Sequence, residues 1–221
     1  MDIIPFGCDS IDSILGGGVE AECVTLIYGE AGTGKTNLCL VLASNLASQG
    51  KKVIFIDTEG VSIERLRQVS GDRFEAVSKN ILFSEVHGFE EQEKMVEKAV
   101  KLADANDDVG LIVVDSISMY YLASSRGEPS IRKTMSGQAV NLLRVARRRK
   151  IPVVVTSQVF TDVDTGNYEA LGGHALHHSA KAIVRLDRVG VGRRRAVVMK
   201  HRHVAEGTAA EFRIVQEGVT C

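Results

Sequence analysis

Gly29-Glu30-Ala31-Gly32-Thr33-Gly34-Lys35-Thr36 lies between an apolar run, Val24–Tyr28, and a long segment of helical period, Lys35–Gln49. The octet fits the spacing G-x-x-x-x-G-K-[S/T]. A strand before it and a helix after it are the setting in which that spacing makes a phosphate cradle. Glycines let consecutive backbone N–H groups curl around phosphate oxygens, and the helix N-terminus adds its partial positive charge. Lys35 then neutralises the β- and γ-phosphates, and the Thr36 hydroxyl ligates Mg2+. The stretch therefore predicts ATP and Mg2+ as ligands. It predicts Gly29, Glu30, Ala31, Gly32, Thr33, Gly34, Lys35 and Thr36 as the binding positions. A chance Gly-rich turn is the competing reading, and the flanking elements argue against it.

Outward from the octet, short apolar runs alternate with longer helical stretches. Val53–Asp57, Ile81–Phe83, Leu111–Asp115 and Val153–Thr156 join Val24–Tyr28 as predicted strands. Ser62–Ser70, Glu90–Ala105 and Thr134–Lys150 join Lys35–Gln49 as predicted helices. This rhythm predicts an α/β fold with a mainly parallel central sheet flanked by helices on both faces. Runs such as Leu111-Ile112-Val113-Val114 carry apolar residues on both faces, as the middle of such a sheet requires. After Lys181 the texture changes. Ala182–Asp187, Arg195–Lys200 and Ala210–Val215 read as C-terminal antiparallel strands extending the same sheet, with one domain over residues 1–221.

Composition narrows the class. The 221 residues are 44% hydrophobic and 25% charged, with a formal net charge of −1. That is enough apolar material for one sizeable core, and the overall charge points to neither nucleic acid nor membrane, so any basic surface must be local. No basic leader precedes an apolar stretch, and no apolar run approaches the roughly 18 residues of a membrane span. Cys8, Cys23, Cys39 and Cys221 are scattered without a C-x-x-C pair, which reads as reduced thiols in a cytoplasmic protein.

Three further groups complete a nucleotide site. Asp115 ends Leu111-Ile112-Val113-Val114-Asp115 and is expected to hold the magnesium together with Thr36, although capping the next helix explains such an Asp as well. Glu59, in Phe55-Ile56-Asp57-Thr58-Glu59-Gly60, sits on the carboxyl edge of the sheet, where open α/β sheets bind ligands. It is the candidate base for the attacking water. Gln158, after Thr156-Ser157, can reach the γ-phosphate with its amide.

These pieces also occur in a specific order. Pro5–Glu20 carries the run Gly16-Gly17-Gly18. Next come the octet, Asp57-Thr58-Glu59-Gly60, Val114-Asp115-Ser116, Thr156-Ser157-Gln158 and Leu171-Gly172-Gly173-His174. The series resembles the RecA/RadA recombinase superfamily on its archaeal and eukaryotic side, over nearly the whole chain, and is most similar to the core-only RadB paralogues. The resemblance implies a RecA-like P-loop ATPase core without the N-terminal DNA-binding domain and linker of strand-exchanging members. It implies slow ATP hydrolysis with Glu59, Lys35 and Gln158 as catalytic residues and Thr36 and Asp115 at Mg2+. The implied role is accessory, in homologous recombination and repair. Implied partners are DNA and a RadA-type recombinase, with homodimer formation or weak self-association left open. Nucleotide-gated signalling ATPases of the KaiC type are the alternative. They share the Gly-rich entry but usually carry a Glu-Glu pair where this chain has Thr58-Glu59.

By the same resemblance, Ala123–Ile131 with Arg126, and Phe160–Leu171, are the DNA-facing loops. The second carries Asp162, Asp164 and Glu169 and offers only Phe160 and Tyr168 for stacking. Arg193, Arg194 and Arg195 at an expected hairpin tip are candidate phosphate contacts. The Arg144-to-Lys150 cluster closes a helix, where basic residues also complement the dipole. Lys200 replaces an acidic residue that caps ATP across a subunit boundary in the family. It either contacts the neighbour's γ-phosphate in trans or marks an interface that has degenerated.

Overall fold

A computed structural model describes residues 2–123, 129–161, 168–170 and 173–221, without the side chains at 122–123, 129, 160–161, 168–170 and 173–175. The chain opens with β1 (Ile3–Ile4), α1 (Asp9–Ile14) and β2 (Val19–Glu20). Then follow β3 (Val24–Gly29), α2 (Lys35–Ser48), β4 (Lys52–Asp57), α3 (Ile63–Ser70), α4 (Phe74–Asn80) and β5 (Ile81–Glu85). The middle comprises α5 (Phe89–Ala105), β6 (Val109–Asp115), α6 (Met119–Ala123), α7 (Pro129–Arg149) and β7 (Val153–Ser157). Last come β8 (Val159–Thr161), β9 (Tyr168–Ala170), α8 (Gly173–Ser179), β10 (Ala180–Arg188), β11 (Arg193–Lys200), β12 (Ala209–Val215) and β13 (Gly218–Thr220).

Nine strands form one sheet in the order β13-β12-β11-β10-β3-β7-β6-β4-β5. Its parallel part runs from β10 through β3, β7, β6 and β4 to β5, while β11, β12 and β13 add antiparallel. The first of the three expected antiparallel strands therefore lies parallel to β3, and the reversal begins only at β11. The chain leaves β3 for the β4 side and later returns to its other side through β10. β3 is thus the point where the winding reverses, the place where open α/β sheets receive ligands.

Strand alternation divides the core into two layers. Val53 and Phe55, Leu111 and Val113, and Val154 face one layer with Leu38, Leu42 and Leu46 of α2. Ile54 and Ile56, Ile112 and Val114, and Val153 and Val155 face the other, with Val96 and Ala99 of α5 and Ala139, Leu142 and Val145 of α7. Each such buried aliphatic side chain contributes roughly 1.5–3 kcal/mol of apolar transfer free energy. Helix α2 is apolar nearly all round because the sheet lies on one side and α3, α4 and β13 cover the other. That coverage fixes the helix whose first turn holds Lys35 and Thr36.

The thiols require a correction. Cys8 and Cys221 are joined in a disulfide with Cα atoms 5.6 Å apart, while Cys23 and Cys39 are free and buried. The pair is separated by 213 residues and meets because α1 docks on β12, with the Ser10 hydroxyl donating to the Glu211 carbonyl at 2.9 Å.

Candidate nucleotide site

The octet forms the turn between β3 and α2, and strands of the C-terminal half wall it in. A Cβ on Gly29 would stand 2.4 Å from the Leu186 carbonyl oxygen of β10, so only glycine allows that approach. Gly34 has φ +104° and packs on β12, where a Cβ would lie 2.9 Å from Ile214 Cδ1. Lys35 is 6% exposed and donates from Nζ to the Gly29 carbonyl at 2.9 Å and the Glu30 carbonyl at 3.0 Å. Burial lowers its pKa, and the carboxylates of Glu59 and Asp115 oppose that shift. Its charge is therefore held between the loop and two acids.

Asp115 ends β6 fully buried. Burial raises its pKa to about 6, opposed by the Thr156 hydroxyl, which donates to Oδ1, and by the nearby Thr36 hydroxyl. Its Oδ2 has no partner among the described residues. A buried carboxylate oxygen left over beside a threonine hydroxyl suits a hard, oxygen-seeking divalent cation. The donors present fit Mg2+.

Asp57, at the end of β4, organises the next loop. Its carboxylate accepts from the backbone N–H groups of Glu59 at 3.0 Å, Gly60 at 2.9 Å and Val61 at 2.5 Å. The Thr58 hydroxyl donates to the Ser116 carbonyl at 2.9 Å and accepts from its N–H at 2.8 Å, tying the loop to the end of β6. So held, Glu59 meets Gln158, whose Nε2 donates to Glu59 Oε1 at 3.2 Å. The Gln158 N–H donates to the Ser118 hydroxyl at 3.0 Å. Lys35, Thr36, Glu59, Asp115 and Gln158 thus gather at one sheet edge. Asp57, Thr58 and Thr156, which hold this group, carry no signal in the sequence beyond the motifs containing them, apart from the Asp-x-x-Gly pattern of an Asx turn at Asp57.

The basic candidates separate. Strand β11 already begins at Arg193, so its arginines alternate across the sheet. Arg193 pairs with Glu211 of β12, and Arg195 is exposed opposite the same Glu211. Arg194 corrects the expected exposed triad: it is 9% exposed and donates from Nε to the Gly32 carbonyl at 3.0 Å. Lys200 is likewise turned inward, donating to the carbonyls of His177 at 2.8 Å and Ala180 at 2.9 Å at the C-terminus of α8. Its ammonium thus closes a helix of its own chain. In the Arg144-to-Lys150 cluster, Arg148 pairs with Asp104 and Arg149 with Asp107. Arg126 and residues 162–167 of the second expected DNA loop lie outside the described residues, as do the side chains of Phe160 and Tyr168.

A Gly-rich turn between a central parallel strand and its helix, a buried acid ending a neighbouring strand, and a Glu–Gln pair above them define a P-loop nucleotide-binding core of the RecA-like class. A family model described as Rad51 matches residues 2–221, and the chain belongs to that family. Within it, the chain is RadB-like. It is 43% identical over 215 residues to the DNA repair and recombination protein RadB of Methanococcoides burtonii, covering 96% of this chain and 95% of the relative. It is also 43% identical over 220 residues to the RadB protein of Archaeoglobus fulgidus, covering 98% and 97%. A crystal structure described as the RadB recombinase superposes with a TM-score of 0.87 at 33% identity, over 99% of both chains.

Proposed function

We propose that this chain is an ATP-binding accessory protein of DNA recombination and repair that binds DNA and hydrolyses ATP slowly without strand exchange of its own. The observation carrying the reading is the meeting of five side chains from four separate segments, Lys35, Thr36, Glu59, Asp115 and Gln158, around one phosphate-sized turn. The family match and the recombination proteins among its relatives support it.

In this reading the turn from Gly29 to Thr36 holds the triphosphate with backbone N–H groups, and Lys35 exchanges its two loop carbonyls for phosphate oxygens. Thr36 and Asp115 would hold Mg2+, which when bound would supply positive charge against the negative charge developing on the phosphates. Glu59 orients the attacking water and accepts its proton. Gln158, bonded to Glu59, positions that carboxylate and is placed to respond to the γ-phosphate. Hydrolysis gives ADP and inorganic phosphate, the water oxygen forming the new P–O bond as the bridge to ADP breaks.

DNA contact is assigned to Arg193 and Arg195 on the exposed face of β11, with Arg126 as a further candidate. The expected location is the cytoplasm, and among the described residues no helix is long and apolar enough to cross a membrane. A RadA-type recombinase is the expected protein partner, and a homodimer or weak self-association the expected assembly. Fluorescence anisotropy with single- and double-stranded DNA, with and without ATP and Mg2+, tests the reading. DNA binding that changes with nucleotide supports it. Tight nucleotide binding with no affinity for either DNA would favour a signalling ATPase instead.

A further inference from the structure

The C-terminal strands are more than a sheet extension, because three of them each touch a different glycine of the phosphate loop. β10 meets Gly29 through Leu186, β12 meets Gly34 through Ile214, and β11 meets Gly32 through Arg194. Only the last contact is a charge-assisted hydrogen bond. The Arg194 guanidinium donates from Nε to the Gly32 carbonyl at 3.0 Å and from one terminal nitrogen to the carbonyls of Arg193 at 2.9 Å and Gly190 at 3.4 Å. It is thus locked between the loop and the turn of its own hairpin.

We propose that Arg194 is a positioning residue for the nucleotide, setting the orientation of the phosphate loop's Gly32–Thr33 peptide. In a planar trans peptide the carbonyl and the following N–H point in opposite directions. Holding the Gly32 carbonyl outward against Arg194 therefore turns the Thr33 N–H inward. There it reaches the Glu30 carbonyl at 3.4 Å, the same oxygen that accepts from Thr33 Oγ1 at 2.8 Å and Lys35 Nζ at 3.0 Å. That inner N–H bond is long and therefore weak, so it is readily exchanged for a phosphate oxygen. The peptide flanks a glycine, and without an external anchor its plane is free to rotate. Arg194 removes that freedom before the ligand arrives, which is how preorganisation raises affinity. Arg188 of β10 also brings its guanidinium beside Gly32, but the hydrogen bond to the Gly32 carbonyl comes from Arg194.

The inference rests on the loop being a nucleotide site. It is tested by calorimetric titration of ATP and ADP, each with Mg2+, into the wild type, Arg194→Met, Arg194→Lys and, as a control at an exposed arginine of β12, Arg213→Met, alongside melting of each ligand-free protein. Arg194→Met retains the aliphatic stem but no donors. Removing the guanidinium leaves three carbonyls without their donor and lowers the ligand-free melting temperature, while affinity for both nucleotides, measured well below that temperature, falls about tenfold or more. Arg194→Lys, which keeps the charge but not the fork, falls between, and Arg213→Met binds like the wild type. Should Arg194→Met fail to fold, Arg194→Lys decides alone, through an affinity several-fold below wild type. Wild-type affinity in either Arg194 variant overturns the inference, as does an equal loss in Arg213→Met, which would make charge the cause. Failure of the wild type itself to bind nucleotide would sink the nucleotide reading and this one together, and it is distinguishable because no variant is needed to see it.

Discussion

Gln158 donates its side-chain amide to Glu59 across 3.2 Å, joining two loops whose residues stand 99 positions apart in the chain. The bond places the candidate base and the candidate γ-phosphate sensor in one unit. A change felt by the amide is therefore felt by the carboxylate. Replacing Glu59 with Gln keeps the size and removes the base. ATP binding should stay within a few-fold of wild type while turnover falls by roughly 10²–10⁴, the usual worth of a positioned general base. A steady-state phosphate-release assay beside a binding titration reads both, and unchanged turnover would remove Glu59 from that role.

Asp115 predicts a pH dependence for the ligand-free protein. Its pKa is raised by burial from 3.8 to about 6. The folded state therefore holds this proton more tightly than the unfolded chain does. Any stability so conferred is fully present below pH 3.8 and is lost as pH rises through about 6. At neutral pH the bare carboxylate is a liability, on the order of 3 kcal/mol. Asp115→Asn should thus melt higher than the wild type at pH 7.5 without ligand, with the gap closing toward pH 5. It should also lose the stabilisation that MgATP gives the wild type. Thermal melts at the two pH values check the sign, and a less stable Asp115→Asn at pH 7.5 contradicts it.

Asp57 accepts three backbone N–H groups from the loop that carries Glu59. Removing such an acceptor leaves partly buried donors unsatisfied at about 1–3 kcal/mol. Asp57→Ala should therefore lower the denaturant midpoint and slow turnover, through a Glu59 no longer held beside Gln158. A variant as stable and as active as the wild type would show that the loop is organised by something else.

Much of the fold is legible in the sequence for a physical reason. Strands buried on both faces, such as Val53–Ile56 and Leu111–Val114, read as unbroken apolar runs, and the glycines and lysine of the octet can occupy only one turn. Short elements escape. β1, β2 and β13 span two or three residues each, too few for any period to show, and the site-building contacts are set by register. Arg193, Arg194 and Arg195 look alike as a tripeptide. Only the start of β11 at Arg193 turns the middle one toward Gly32 and leaves its neighbours outside. The inward turn of Lys200 and the meeting of Cys8 with Cys221 likewise depend on tertiary placement that no local pattern records.

That alternation shapes the expectation for DNA. Arg193 and Arg195 share the exposed face of β11, whereas Arg194 does not. Neutralising Arg193 and Arg195 together should weaken binding and flatten its salt dependence, by about 0.9 in slope for each duplex phosphate that the arginines no longer neutralise. Anisotropy titrations over a range of salt concentrations measure the slope, and an unaltered slope would dismiss this face.

The central claim is that residues 29–36 form a triphosphate cup around Lys35, and calorimetric titration of MgATP into the wild type and Lys35→Ala tests it most directly. The buried ammonium already rests on two loop carbonyls beside Glu59 and Asp115. The expected result is saturable one-to-one binding by the wild type and none detectable in a folded Lys35→Ala. Equal affinity in the two proteins would contradict the account.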